Sequence, residues 1–313
     1  MNKLKKIIEY ISHNPRALIL AILVRLAPII PDRQYLKWMF RLRMGYKLNL
    51  DNPQTFSEKL QWLKLYNRKP EYTQMVDKYE AKKYVANIIG EEYIIPTLGV
   101  WDKFDDIDFD KLPNQFVLKT THGGGNTGVV ICKDKSSFDK AKAKQKLERS
   151  LKSDIYKSLK EWPYKNVKKR IIAEEYLSED ITPENPTGDI IDYKFFCFNG
   201  EAKAVLIATE RHSTTGVCFD YFDKDFNHYP FEQGGPNSTK EILKPKYLDE
   251  MWEIANKLSC GLPHIRVDLY CINGHIYFGE LTFFDSSGFA EFKPEEWNGI
   301  FGDWIKLPEI SNS

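Results

Sequence analysis

Arg266 and Asp268 alternate along an apolar run, His264–Ile272, so both leave one face of a strand. Asn273-Gly274 then turns the chain, a pair that favours a two-residue hairpin. Glu280 comes near the end of the returning run, His275–Leu281. Counted out from the turn, the partner of Asp268 falls near residue 279, which puts Glu280 almost opposite. Two carboxylates held that close repel unless a cation lies between them, and hard oxygen ligands suit Mg²⁺ bridging phosphates. The competing interpretation is a surface ion pair between Arg266 and Glu280. The apolar neighbours Val267, Leu269, Ile276, Phe278 and Leu281 instead favour a hairpin in the core.

Three further stretches could serve the same ligand. Lys119 ends a strand, Gln115–Thr120, and is followed by His122-Gly123-Gly124-Gly125-Asn126-Thr127-Gly128 and a second strand, Val129–Cys132. Consecutive glycines leave backbone N–H groups open to phosphate oxygens. The pattern is neither a Walker A loop nor a dinucleotide fingerprint, and a plain flexible hairpin fits it equally. The strand Arg170–Tyr176 ends in Glu174 and Glu175 and leads to Leu177. It could offer backbone groups to an adenine edge, or merely end in solvated acids. Asp192 and Lys194 share a strand face, where an acid can accept from ribose hydroxyls and a lysine can neutralise phosphate.

The elements that must hold these residues read as mixed helix and strand. Residues 1–65 are expected to be helical, turning at Asn49–Thr55, with Thr55-Phe56-Ser57-Glu58 fitting a helix cap. Tyr72–Ile89 has helical periodicity up to Gly90, and Tyr93–Pro96 reads as a short strand. Residues 136–168 are Lys-rich and helical. Asp192–Phe198 and Ala202–Ala208 form a hairpin across Asn199-Gly200, residues 209–240 are irregular, Leu248–Ser259 is an amphipathic helix, and the tail from Phe283 is loop-rich with Trp297 and Trp304 packed.

Composition narrows the class. With 42% apolar and 28% charged residues over 313 positions, the chain can build a sizeable core, and disorder or a multi-span membrane protein fit poorly. The net charge of +1 argues against a chain-wide nucleic-acid surface, yet the first fifty residues hold ten basic side chains against two acidic ones. Five cysteines without metal spacing read as reduced thiols of a cytoplasmic protein. Ala17–Ile30 is too short, with Arg25 inside it, to span a bilayer. Residues 1–45 therefore either pack on the protein body or make a peripheral contact with the inner face of the membrane.

The lysine, the Gly-rich hairpin, the strand-end acids and the late acidic hairpin, in this order, resemble the ATP-grasp superfamily. The strings NPQTFSEKLQWLKLYNR, VDKYEAKKYV, FVLKTTHGGGN, DYKFFCFNG and RVDLY with GELTF resemble the TupA-like ATP-grasp family of surface-polysaccharide biosynthesis. The resemblance implies an α+β fold in which two subdomains grip ATP between β-sheets. It implies a basic helical region at 1–65, a helix–strand lead-in at 66–112, a subdomain with the Gly-rich hairpin at 113–177 and a subdomain with the metal site at 178–313. ATP would meet Lys78, Lys119, Gly123, Gly124, Gly125, Asn126, Glu174, Glu175, Leu177 and Asp192. Mg²⁺ would be held by Asp268, Glu280 and Thr282, where Thr282 stands in place of the asparagine usual in such ligases. Arg266 and Lys194 would be catalytic.

The implied reaction joins an amino acid or amine to a carboxylated saccharide, such as a uronic acid, through an acyl phosphate. A sugar kinase on the same platform is the alternative. A glycosyltransferase fits less well for want of a DxD motif at a strand end. Arg211, His212 and the run Asp285–Phe289 are candidates for the acceptor side.

Overall fold

The computed structural model of the chain describes residues 15–125, 127–181, 188, 190–209 and 216–309. Asn126, Arg211, His212 and residues 1–14, named above, lie outside that set.

Two antiparallel sheets carry the fold. The smaller has four strands: β1 (Thr97–Trp101), β2 (Phe116–Thr120), β3 (Val129–Cys132) and β4 (Ile171–Glu175), in the order β1-β4-β2-β3. Phe116, Leu118, Ile171 and Ala173 turn one face of it onto a compact core with Phe104, Phe109 and Leu147, the last from the helix Lys140–Leu151. Alternation sends Val117, Lys119, Ile172 and Glu174 to the other face.

The larger sheet comprises β5 (Asp192–Phe198), β6 (Glu201–Thr209), β7 (Cys218–Phe222), β9 (His264–Ile272) and β10 (His275–Thr282), in the order β10-β9-β5-β6-β7; the pair β8 (Glu232–Gln233) and β11 (Phe292–Lys293) stands apart. Both hairpin turns have left-handed backbone, φ 52° and 86° at Asn199-Gly200 and 50° and 81° at Asn273-Gly274. These are the conformations that make the Asn-Gly pair so specific a turn signal. The helix Leu248–Ser259 covers one face of the sheet with Met251, Trp252, Ala255 and Leu258.

Helices Pro15–Leu26, Asp32–Met44 and Phe56–Tyr66 precede the sheets. The last opens with the expected box: Thr55 accepts from the Glu58 N–H while Glu58 accepts from the Thr55 N–H. Its N-terminal Phe56 packs edge-on against Phe198, Phe292 and Phe301, so this region is tied to the large sheet.

Four expectations shift. The periodic run 72–89 is broken into helices Glu71–Val76 and Glu80–Ile89, because Asp77 is extended and its carboxylate accepts from the N–H groups of Tyr79 (2.9 Å) and Glu80 (3.2 Å). The early strand lies at Thr97–Trp101, after a 3₁₀ turn at Glu91–Tyr93, where it pairs with β4. Residues 218–222, read as irregular, form an edge strand of the large sheet. The tail holds a helix, Glu296–Trp304, whose Trp297 and Trp304 do pack on Phe231 and Phe198.

Candidate active site

Asp268 sits in the middle of a three-strand row. On β5 its register partner is Lys194, and on β10 it is Glu280. Regular pairing from the turn would have placed residue 279 there. A bulge at Gly279 takes up one residue and moves Glu280 directly opposite. A side chain has little room at Gly279, since a Cβ would lie 3.0 Å from the Asp268 carbonyl oxygen and from the Tyr270 ring.

The row is a closed charge network. Lys194 Nζ donates to Asp268 Oδ2 at 2.6 Å and lies 3.6 Å from Asp192. Arg266 grips Asp268 with two donors, at 2.7 and 2.8 Å, and donates to Asp285, to Glu280 (3.3 Å) and to the Thr282 hydroxyl (3.2 Å). Lys78 donates to the other Glu280 oxygen. Arg266 and Asp268 are buried, so the Arg266–Glu280 pair is one member of this network and not an isolated surface pair. Burial disfavours the Glu280 carboxylate, but Lys78 and Arg266 outweigh it and hold its pKa below the usual carboxylate range. Burial likewise works against charge on Lys194, and Asp268 more than restores it.

Lys78 owes its place to the helix break. Its N–H donates to the Thr121 carbonyl at 2.9 Å, and Arg170 bonds the capping Asp77 at 3.1 Å, so the break is pinned to the end of β2.

Facing this row, the small sheet contributes a second network. Glu174, 4% exposed, forms ion pairs with Lys119 at 2.5 Å and with Lys82 at 2.7 Å. Burial raises its pKa, but the two ammonium groups override that and bring it to about 2. The Glu174 side chain thus faces two lysines, and Glu175 and Leu177 line the cleft beyond it. In the Gly-rich tip, Gly124 and Gly125 line the cleft. Gly123 does not; its Cβ would meet Thr120 Oγ1 at 2.5 Å, so packing at the base of the tip demands glycine there.

The two networks share one cleft of about 1640 Å³. That exceeds the ~300–1,000 Å³ of ordinary ligand pockets and leaves room for two substrates. Lys78, Lys119, Glu174, Glu175, Leu177, Asp192, Lys194, Arg266, Asp268, Glu280 and Thr282 all line it.

Two further lysines support the site, Lys82 from the string VDKYEAKKYV and Lys64, which was not singled out from sequence. Lys82 completes the Glu174 pair. Lys64 is fully buried beside the cleft, donating to Ser287 Oγ (2.7 Å) and to the carbonyls of Ser287 (2.9 Å) and Leu159 (3.0 Å). Burial lowers its pKa, opposed by Glu161. These bonds hold the turn Asp285–Gly288 in place, with Ser286 and Ser287 both at positive φ. That turn lines the cleft together with Glu161 and Arg43. A lysine with apolar neighbours, QWLKLY, is the one sequence cue to its burial.

The donor chemistry fits a magnesium ion only in part. Among the described residues no group of three or more His, Cys, Asp or Glu is arranged to hold a metal. Asp268 and Glu280 nevertheless present hard oxygens on adjacent strands, with the Thr282 hydroxyl 3.4 Å from Glu280. Magnesium characteristically takes one or two carboxylates and fills its octahedron with phosphate oxygens and water.

Two sheets closing on a cleft lined by lysines and paired carboxylates define the ATP-grasp fold. Residues 58–306 match the model of the TupA-like ATP-grasp family, and the chain belongs to that family. No curated protein matches it. Among solved structures it is similar to a D-alanine–D-alanine ligase from Bacillus anthracis, with 17% identity, a TM-score of 0.35, and coverage of 67% of this chain and 57% of that one. An L-amino acid ligase from Bacillus licheniformis gives 13%, 0.42, 77% and 51%, and the ATP-grasp ligase PsnB, bound to a phosphomimetic precursor variant, Mg and ADP, gives 12%, 0.41, 94% and 71%. The chain thus spans little more than half the length of the first two.

Proposed function

We propose that the protein is an ATP-dependent carboxylate–amine ligase of surface-polysaccharide biosynthesis, joining an amino acid or amine to a carboxylated saccharide. The observation that carries the reading is the Lys194–Asp268–Glu280 row, flanked by Lys78 and Arg266, set across one cleft from Lys119. Each carboxylate there is matched by a cation. A triphosphate arriving with a divalent metal would exchange those partners: Lys78, Lys119 and Lys194 turn to phosphate, and the acids to the metal.

In the proposed reaction a substrate carboxylate oxygen attacks the γ-phosphorus and ADP leaves. The amine then displaces phosphate from the acyl phosphate. The protein contributes positioning and charge neutralisation. Mg²⁺ on Asp268 and Glu280 would neutralise and polarise the phosphate oxygens. Arg266, its donors engaged by Asp268, Asp285, Glu280 and Thr282, acts as a positioning residue that aims both acids. Gly124 and Gly125 supply backbone N–H groups over the phosphates and help exclude water. Asp192 serves the ribose, and the stretch 285–288, braced by Lys64 and adjoined by Glu161, offers the acceptor a wall.

The test is a screen of amino acids and uronic-acid compounds for ATP-dependent phosphate release, with product mass measured. An amide with ADP and free phosphate supports the ligase. A phosphorylated sugar with no free phosphate would make the protein a kinase.

A further inference from the structure

The helix Pro15–Leu26 is apolar on two faces, and the described fold covers one of them. Leu23 is buried, and Leu20 and Val24 pack on the core. The opposite stripe carries Leu18, Ile19, Ile22 and Leu26, 38–50% exposed, with Ile29 (78%) beyond the helix end and Trp38 (46%) on the next helix. Single surface hydrophobics are ordinary. Here six of the twelve exposed large hydrophobic side chains among the described residues fall between Leu18 and Trp38.

Between the two helices runs a groove of about 470 Å³ whose floor is Ile19, Leu23, Trp38 and Leu42 and whose rim is Arg16 and Arg41. Arg25 is also exposed on the stripe side. The acid of this region, Asp32, is turned inward, bonded to Arg68 at 2.8 Å and Lys160 at 3.0 Å, so it does not offset the rim. Aliphatic and tryptophan side chains edged by arginines suit the boundary between acyl chains and phosphate headgroups. No helix among the described residues is long and apolar enough to cross a membrane.

We propose that the face made by Leu18, Ile19, Ile22, Leu26, Ile29 and Trp38 docks on an anionic lipid bilayer, its arginines meeting headgroup phosphate. A second copy of the chain is a poor occupant, because a two-fold contact would oppose the same basic rims. The face precedes residue 58, where the family match begins, and the proposal does not rest on the ligase reading.

The experiment is flotation of the full chain with vesicles of phosphatidylcholine alone or with about a third phosphatidylglycerol. Binding should appear with the anionic vesicles, fall by about tenfold or more without them, and weaken with salt. The double variant Ile19→Glu/Ile22→Glu, in two half-exposed side chains, should lose binding by about tenfold or more while keeping the parent's thermal unfolding midpoint and ATP turnover. Leu243→Glu, on an exposed residue elsewhere, should float like the parent. The proposal is overturned if the parent stays unbound at low salt, if the double variant floats equally well, or if the variant instead halves a dimer's mass in light scattering without any vesicle binding.

Discussion

Glu280 lies directly across from Asp268 because Gly279 is bulged out of the ladder between β9 and β10. The pair depends on one irregular residue in an otherwise regular hairpin. Replacing it should therefore disturb the acids more than the fold. Gly279→Val would press on the Asp268 carbonyl and the Tyr270 ring. Overpacking of this kind costs about 1–3 kcal/mol. The expected outcome is a modest fall in the urea midpoint with a loss of ATP turnover of at least about a hundredfold, a split between stability and kcat that parallel unfolding and steady-state assays would reveal.

Removing either acid's charge should stop turnover, but the two variants differ in what else they do. Asp268 is 1% exposed and bonded to two cations, so Asp268→Asn leaves Arg266 and Lys194 short of a partner and should cost about 3 kcal/mol of stability. The Glu280 side chain is 31% exposed. Glu280→Gln should cost about 1 kcal/mol and still abolish ATP consumption, making it the cleaner test of the metal role. Full activity in Glu280→Gln would remove the carboxylate from the mechanism.

Lys119 and Lys82 share Glu174 yet should behave differently. Lys119 lines the cleft, so Lys119→Met should raise the KM for ATP by about ten- to a hundredfold, the worth of one charge-assisted bond. Lys82 also donates to the Ile95 carbonyl at 2.5 Å and does not line the cleft, so Lys82→Met should lower the melting temperature and leave the KM for ATP within about threefold. Equal KM effects in both variants would contradict this division.

Glu174 ties the small sheet's stability to pH. Its pKa falls from 4.5 to about 2 on folding. Below pH 4.5 the unfolded chain therefore takes up the proton first. The stabilisation, about 3 kcal/mol, is complete above that value and is lost as pH falls toward 2. Relative to Glu174→Gln, the parent's excess stability should be level from pH 7 to 5 and shrink below it. A difference that stays constant down to pH 3 would show that the ion pairs do not set it.

How much of this was legible depended on how local each signal was. The hairpin at Asn273-Gly274 and the helix Leu248–Ser259 are written in turn chemistry and periodicity. So is the cap at Thr55. The family strings added the order of the site, and with it Lys78, which no local pattern picks out. The break at Asp77 was hidden because an acid inside an apolar-periodic run looks like a solvated helix position until its capping bonds are seen. The bulge at Gly279 and the edge strand Cys218–Phe222 were hidden because register is set by neighbours distant in sequence. Lys64 was illegible for a plainer reason, since its burial is created by Leu159 and Ser287, which folding brings to it from far along the chain.

Arg41 and Arg43 are two residues apart on the helix Asp32–Met44, yet Arg41 edges the groove and Arg43 lines the cleft. One rod of backbone, about 10 Å across with its side chains, is thus the partition between the two. With the groove seated on a leaflet, an acceptor carrying a lipid tail would reach the cleft by diffusing in two dimensions. Its encounter rate would then follow areal density in the membrane rather than bulk molarity.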